Sequence, residues 1–190
     1  MRPKIVLKFG GTSLATPNSW KQVLDILESR RELSPAVVVS AVGAAKGRPK
    51  VTDLLQALAL DPASQGLTSL KSLHQDLLQA LSLELSLLDD LWLELERQLQ
   101  WETPSSEQRL DRIMGWGERL SARMMAAALR QRGWQAQDLS PEQLGLVTDE
   151  RFQDASVLES SLETIAQRTF QLRAHLVVPG YVGVTQEGLP

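Results

Sequence analysis

Apolar runs and an amphipathic segment alternate along the N-terminal part of the chain. Residues 5–9 and 36–42 are short, β-branched and apolar, which is typical of strands buried in a parallel sheet. Between them, residues 20–32 carry apolar side chains at helical spacing, and Pro17 and Ser19 precede that segment as a turn and helix start. A strand, a helix and a second strand in this order predict a right-handed βαβ unit.

Leucine dominates residues 51–101, and glycine is almost absent there. The leucine spacing in residues 71–100 drifts instead of holding the heptad of a coiled coil. It predicts two helices with a break near residues 81–86. After this region "TPSSEQ" is a helix start signal, and the helix is predicted to run over residues 108–132 and to end at Gly133.

The C-terminal part of the chain returns to alternating elements. A short strand is predicted at "WQAQDL", a helix over residues 157–173 and a buried strand over residues 175–178. The whole pattern predicts an α/β fold in one domain, with a large helical insertion after the second strand.

Composition narrows the classes of protein to consider. The chain has 190 residues, 43% hydrophobic and 23% charged, as in an ordinary globular domain. Its formal net charge of −3 argues against nucleic-acid binding. The lack of cysteine excludes disulfides and thiolate metal sites, and His74 and His175 lack the spacing of metal ligands. The sequence shows neither a secretory signal nor an apolar run long enough to span a membrane. We therefore expect a cytoplasmic protein that does not associate with a membrane and holds no structural metal.

Polar residues follow the first predicted strand, at the end where parallel sheets bind ligands. They are Lys8, Gly10, Gly11, Thr12 and Ser13. Glycines let backbone N–H groups approach a phosphate, a lysine can neutralise a transferring phosphoryl group, and hydroxyls can donate to its oxygens. The order differs from a Walker A loop, where the lysine follows the glycines, and no G-x-G-x-x-G is present. A simple turn beside a solvated lysine fits the same spacing.

Three more polar residues are candidates for a site. Ser40 interrupts an apolar strand, and Thr52 follows it closely; a core serine bonded to neighbouring backbone is the plainer interpretation of Ser40. Glu118 shares a helix face with methionines and small residues. It either borders this stripe or is buried, and a buried carboxylate needs a cation such as a substrate ammonium.

These segments together resemble the aspartate kinases, a branch of the amino-acid kinase family. The motifs are "KFGGTS" at 8–13, "VVVSAV" with "VTDLL" at 51–55, "GERLSA" at 117–122, "DERFQDA" at 149–155 and "LVVPGYVGVTQEG" at 176–188. They occur in family order and cover essentially the whole chain. "KFGGTS" combined with "GERLSA" is specific, and each of the others is weak alone.

The resemblance implies a three-layer α/β/α sandwich and ATP-dependent phosphorylation of the aspartate side-chain carboxylate. It implies that Lys8 stabilises the transferred phosphoryl group, and that a loop binds phosphate through Gly10, Gly11, Thr12 and Ser13. It places Ser40, Thr52 and Glu118 near the aspartate, with Glu118 receiving the ammonium. Mg²⁺ would be bound through the phosphates, and the full-length enzyme would be a homo-oligomer.

The resemblance also implies that residues 1–190 are the N-terminal part of a longer enzyme. The sequence stops just before a segment of the type TT-x-LGRGGSD, so the nucleotide-binding half and regulatory ACT domains are absent. Such a fragment is expected to be inactive alone, and its parent is either monofunctional or fused to homoserine dehydrogenase or diaminopimelate decarboxylase. Two alternatives stay open: another amino-acid kinase (acetylglutamate, glutamate 5- or uridylate), and a non-catalytic module that binds aspartate or dimerises through its leucine-rich helices.

Overall fold

A computed structural model describes residues 3–188 and begins with the predicted βαβ unit. Strand β1 (Val6–Phe9) leads to helix α1 (Pro17–Glu28), and strand β2 (Ala36–Val39) follows. Helix α1 starts at a capping box in which the Thr16 and Ser19 side chains each accept from the other's backbone N–H. Strand β2 is three residues shorter than the run 36–42 from which it was predicted.

The helical insertion contains three helices in its leucine-rich part. They are α2 (Val51–Leu60), α3 (Gly66–Ala80) and α4 (Asp89–Leu99). The two helices predicted within residues 71–100 are confirmed as α3 and α4, and their break falls at the predicted place. Helix α2 had not been separated from them; it ends just before Pro62, which cannot continue the hydrogen bonding of a helix interior.

The single helix predicted over residues 108–132 is wrong. Helix α5 (Ser106–Met114) and helix α6 (Trp116–Gln131) divide that segment at Gly115. A Cβ atom at Gly115 would lie 2.8 Å from Val182 Cγ2, so the junction packs too closely for a side chain. The predicted end at Gly133 is confirmed, since this residue adopts φ +76° after the last turn.

The remaining elements complete a parallel sheet. They are β3 (Ala136–Asp138), the short helix α7 (Pro141–Leu144), α8 (Ser160–Gln171) and β4 (His175–Pro179). The strand order is β1-β2-β4-β3, and every neighbouring pair is parallel. Phe9 pairs with Val39 and Val39 with Pro179, so β1, β2 and β4 end in line.

Helices cover both faces of the sheet, as expected for an α/β/α sandwich. The main core contains Val37, Val39 and Val177 from one face, together with buried residues of α1 and α6. A smaller cluster joins Ala36 and Leu176 on the opposite face to Ile165 of α8. The predicted three-layer architecture is therefore confirmed. No helix within residues 3–188 is long and apolar enough to cross a membrane.

Candidate functional site

Three strand ends meet at one edge of the sheet. The Ser40 N–H donates to the Phe9 carbonyl at 3.1 Å, and the Gly180 N–H donates to the Val39 carbonyl at 3.1 Å. The segments that leave β1, β2 and β4 therefore begin side by side, at the edge where parallel sheets bind ligands.

The loops after β1 and β2 touch through two glycines. The Gly43 N–H donates to the Gly11 carbonyl at 2.9 Å. A Cβ atom on Gly43 would lie 2.6 Å from the Gly11 carbonyl carbon and oxygen, and one on Gly11 would lie 2.9 Å from the Ala41 carbonyl oxygen. Neither position accepts a side chain without a backbone shift, so the two loops form one closely packed unit.

Helix α6 brings Glu118 to this edge in its first turn. At Gly117 the helix packs so closely that a Cβ atom would lie 2.6 Å from Ala41 Cβ and 2.9 Å from Val51 Cγ1. Glu118 is only 8% exposed, and its Oε2 accepts a hydrogen bond from the Tyr181 N–H. Of the two alternatives for Glu118, the structure shows the buried one.

The surroundings of Glu118 leave its carboxylate short of positive charge. Burial raises the pKa of Glu118 from 4.5 to about 7, although the N–H groups of Tyr181 and Gly180 and the charge of Lys8 act to lower it. Glu118 forms no ion pair among residues 3–188. A cation arriving here would lower the pKa again and hold the carboxylate ionised.

Lys8 lies on β1 at the rim of the same site. Its side chain is exposed, its Cε lies 3.6 Å from the position of a Cβ on Gly180, and within the described range it forms no ion pair. Its positive charge acts on the Glu118 carboxylate through space and lowers the pKa of that group. The ammonium is therefore free to bind a ligand anion.

The hydroxyl residues of the first loop form a short turn rather than a flexible segment. Gly11–Leu14 is a 3₁₀ turn, closed by the Ser13 N–H donating to the Gly10 carbonyl at 3.0 Å. The first N–H groups of such a turn have no partner inside it. Thr12 is exposed and Ser13 half-buried, and Gly10 has open space around it.

Ser40 and Thr52 are placed differently with respect to this edge. Ser40 follows β2 directly and lies beside the end of β1. Thr52 lies in the first turn of α2, where its Oγ1 is buried without a hydrogen-bond partner in the described residues. Its neighbour Val51 lies against α6 at Gly117, and no hydrogen bond joins the Thr52 hydroxyl to Glu118 among the described residues. The structure thus brings Lys8, the glycine loop, Ser40 and Glu118 together, with Thr52 at the border.

A cavity of about 340 Å³ opens next to Glu118, lined by residues to which the sequence analysis gave no role. Its walls are α5, the loop 149–155 and the turn after β4. Its lining includes Asp111, Thr148, Gln153, Tyr181 and Val182. Tyr181 contacts Glu118 through its backbone N–H, which any residue except proline would supply, so its residue type does not indicate a site. The sequence feature that does mark this turn is the Pro-Gly pair at the end of β4.

Comparison with known proteins gives a consistent picture. The family model described as "Amino acid kinase family" matches residues 3–189. Aspartokinase 3 of Bacillus subtilis is 30% identical over 192 residues, covering 96% of this chain and 41% of that protein. Aspartokinase 1, chloroplastic, of Arabidopsis thaliana is 28% identical over 194 residues, covering 94% of this chain and 33% of that protein.

Solved structures share the fold. Aspartokinase III of E. coli in complex with lysine and aspartate aligns with a TM-score of 0.80 and 24% identity, and its complex with aspartate and ADP with a TM-score of 0.81 and 24% identity. Each alignment covers 97% of this chain and 42% of the other. The chain therefore spans between a third and a little over two fifths of the length of these relatives.

Proposed function

The chain belongs to the amino acid kinase family, and on that premise we propose that it forms the aspartate- and phosphate-binding part of an aspartate kinase. The enzyme transfers the γ-phosphoryl group of ATP to the side-chain carboxylate of L-aspartate. The product, 4-phospho-L-aspartate, leads toward lysine, threonine and methionine. The names of the relatives support this substrate, as do the aspartate in both E. coli structures and the ADP in one of them.

The buried carboxylate of Glu118 is the observation that carries the proposal. It lies at the strand ends, 8% exposed, without an ion pair in the described part of the chain and with a pKa of about 7. An α-ammonium group would supply the missing charge, and the Tyr181 N–H would keep the carboxylate oriented toward it. Because a neutral or anionic group could not do this, the site favours a free amino acid as phosphoryl acceptor.

The loop after β1 supplies the phosphoryl-transfer part of the site. An aspartate side-chain oxygen attacks the γ-phosphorus, the bond from that phosphorus to the β,γ-bridging oxygen breaks, and ADP leaves with its electron pair. Lys8 neutralises charge on the transferring group, while Gly10, Gly11, Thr12 and Ser13 contribute N–H and hydroxyl donors. Catalysis then consists of positioning and charge stabilisation, without a covalent enzyme intermediate.

Ser40 and Thr52 complete the acceptor side in this proposal. The buried Thr52 Oγ1 has no hydrogen-bond partner among residues 3–188, and a buried hydroxyl left unbonded costs free energy. A substrate carboxylate could satisfy it. Ser40 stands directly after β2, and its N–H donates to the Phe9 carbonyl at the end of β1.

Several wider features belong to the same proposal. Within residues 3–188 no group of three histidine or acidic side chains is placed to hold a metal, so Mg²⁺ would be bound through the nucleotide phosphates. When bound it would neutralise phosphate charge. We assign four further properties to the intact enzyme: a nucleotide-binding half, regulatory ACT domains, a homo-oligomeric assembly and a cytoplasmic location.

The test is formation of acyl phosphate by the product of the intact gene. With aspartate and ATP it should yield a product that hydroxylamine traps as aspartyl hydroxamate. Lys8→Ala should lower kcat by about 10²- to 10³-fold, as loss of a preorganised charge does. Lys4→Ala, which removes an exposed lysine four positions upstream, serves as the matched control and should leave kcat unchanged.

Substrate competition separates the alternatives in the same assay. Phosphorylation of glutamate, N-acetylglutamate or a nucleoside monophosphate in preference to aspartate would replace the proposal with another amino-acid kinase activity. A gene product that binds aspartate but forms no acyl phosphate would be a non-catalytic binding module.

A further inference from the structure

Asp111 connects α5 to the loop that walls the cavity. Its carboxylate is half-buried, and its Oδ2 accepts a hydrogen bond from the Gln153 N–H at 2.6 Å. Among the described residues this is the one hydrogen bond between α5 and the loop 149–155. The carbonyl of the same residue accepts from the Gly115 N–H at 3.3 Å, so Asp111 also touches the α5–α6 junction.

The loop has a backbone that needs such an anchor. Gln153 adopts φ +68°, a left-handed conformation that is unfavourable for a residue with a side chain. The rest of the loop is closed on itself, because Asp149 Oδ1 accepts from the N–H groups of Arg151 and Ser156. A loop that is closed on itself can rotate as a unit unless a residue near its tip is held in place. Asp111 holds Gln153 through the hydrogen bond to its N–H.

The inner end of the loop is tied to the turn that carries Tyr181. The Thr148 N–H donates to the Val184 carbonyl at 2.7 Å, and a Cβ on Gly183 would lie 2.3 Å from Thr148 Cγ2. Tyr181, two residues before Gly183, donates its N–H to Glu118. The loop and the turn that orients the Glu118 carboxylate are therefore joined by a hydrogen bond and by close packing.

The Tyr181 side chain supports the same connection. Burial raises the pKa of its phenol, and the charges of Asp111 and Glu118 raise that pKa further. Tyr181 and Asp111 both line the cavity.

We propose that Asp111 is a positioning residue for the acceptor amino acid: it fixes the loop 149–155 against α5 and thereby holds the Tyr181 turn and Glu118 in place. This inference rests on the proposed function for its consequence but not for its mechanics. Asp111 acts on the amino-acid side of the site, away from the loop after β1, so its loss should weaken acceptor binding and leave nucleotide binding unchanged.

The mechanical part is tested by amide hydrogen exchange on the intact gene product. Asp111→Ala removes the acceptor, Asp111→Asn keeps a carbonyl oxygen in the same position, and Glu150→Ala removes an exposed carboxylate of the loop as a charge-matched control. We expect exchange in residues 149–156 to rise at least tenfold in Asp111→Ala and to stay near the wild-type rate in the other two. Equal exchange in all four proteins would overturn the inference, whatever the function.

The functional part is tested with the intact gene product in the hydroxamate assay. Asp111→Ala should raise the KM for aspartate about tenfold, with the KM for ATP and kcat within about twofold of wild type, because one positioning hydrogen bond is lost. Asp111→Asn should restore most of the affinity. A fall in kcat with unchanged KM would contradict a positioning role, and absence of acyl phosphate in the wild type would refute the proposed function while leaving the exchange result standing.

Discussion

At the scale of single residues, Glu118 combines burial with an unusual pKa, and this has a measurable effect on stability. Its pKa of about 7 exceeds the ordinary 4.5. The folded protein therefore binds this proton more tightly than the unfolded chain does. The resulting stabilisation is fully present below pH 4.5 and is lost as the pH rises through 7.

Glu118→Gln should consequently become relatively more stable as the pH rises. The variant keeps a neutral side chain at every pH, so its free energy of unfolding should gain up to about 3 kcal/mol on the wild type between pH 4.5 and 8. Urea denaturation at several pH values measures this. Glu142→Gln gives a control of opposite sign at lower pH: the pKa of Glu142 is lowered, so the wild type should lose stability relative to that variant as the pH falls below 4.5. A constant difference for Glu118→Gln would contradict the burial argument.

The glycines after β1 and β2 make unequal demands on the backbone, although they look equivalent in the sequence. Gly43→Ala would place a Cβ atom 2.6 Å from the Gly11 carbonyl group, so we expect a loss of about 1–3 kcal/mol in the free energy of unfolding. At Gly10, with φ −76° and nothing within 4 Å of a Cβ, alanine should cost less than about 0.5 kcal/mol. Equal losses in thermal or urea unfolding would show that the two loops do not pack as described.

At the scale of elements, the α3–α4 pair of the insertion encloses a histidine. His74 is fully buried, its Nδ1 lies 2.8 Å from the Leu70 carbonyl oxygen, and its ring meets Trp92 edge-on at 5.5 Å. Burial lowers the pKa of His74 from 6.5 to about 4. The neutral ring therefore stabilises the packed helices fully above pH 6.5, and this contribution is lost as the pH falls through 4.

Acid should accordingly weaken this protein more than a His74→Leu variant. Between pH 7 and pH 4 the free energy of unfolding of the wild type should fall by about 3 kcal/mol relative to the variant. Denaturant titrations of both proteins across that range measure the difference. If the two proteins lost stability in parallel, protonation of His74 would not be coupled to unfolding.

The sequence predicted elements well where the signal was local. The β-branched runs near residues 6–9 and 36–39 and the glycine that ends α6 are decided by neighbouring residues. The division of α5 from α6 is not decided by neighbouring residues. It depends on the close packing of Gly115 against Val182, which lies far along the chain. Helical periodicity continues through such a junction, so the pattern alone predicts one helix.

At the scale of the whole molecule, the candidate site exists because of the strand order. The arrangement β1-β2-β4-β3 places the turn after β4 beside Ser40 and lets Tyr181 reach Glu118. The sequence supplied Lys8, the glycine loop and Glu118 as candidates, since their residue types are informative. It could not supply Asp111 or Tyr181, because their contacts involve backbone N–H groups brought together only by the fold.

The most direct test of the proposed site is calorimetric titration of the intact gene product with aspartate at pH 6, in two buffers of different ionisation enthalpy. With a pKa of about 7, Glu118 is mostly protonated at that pH, and an arriving ammonium should drive the proton off. We predict saturable binding with close to one proton released per aspartate, and weak binding without proton release in Glu118→Gln. Tight binding with no proton release in the wild type, or binding that Glu118→Gln leaves unchanged, would contradict a site in which Glu118 receives the ammonium.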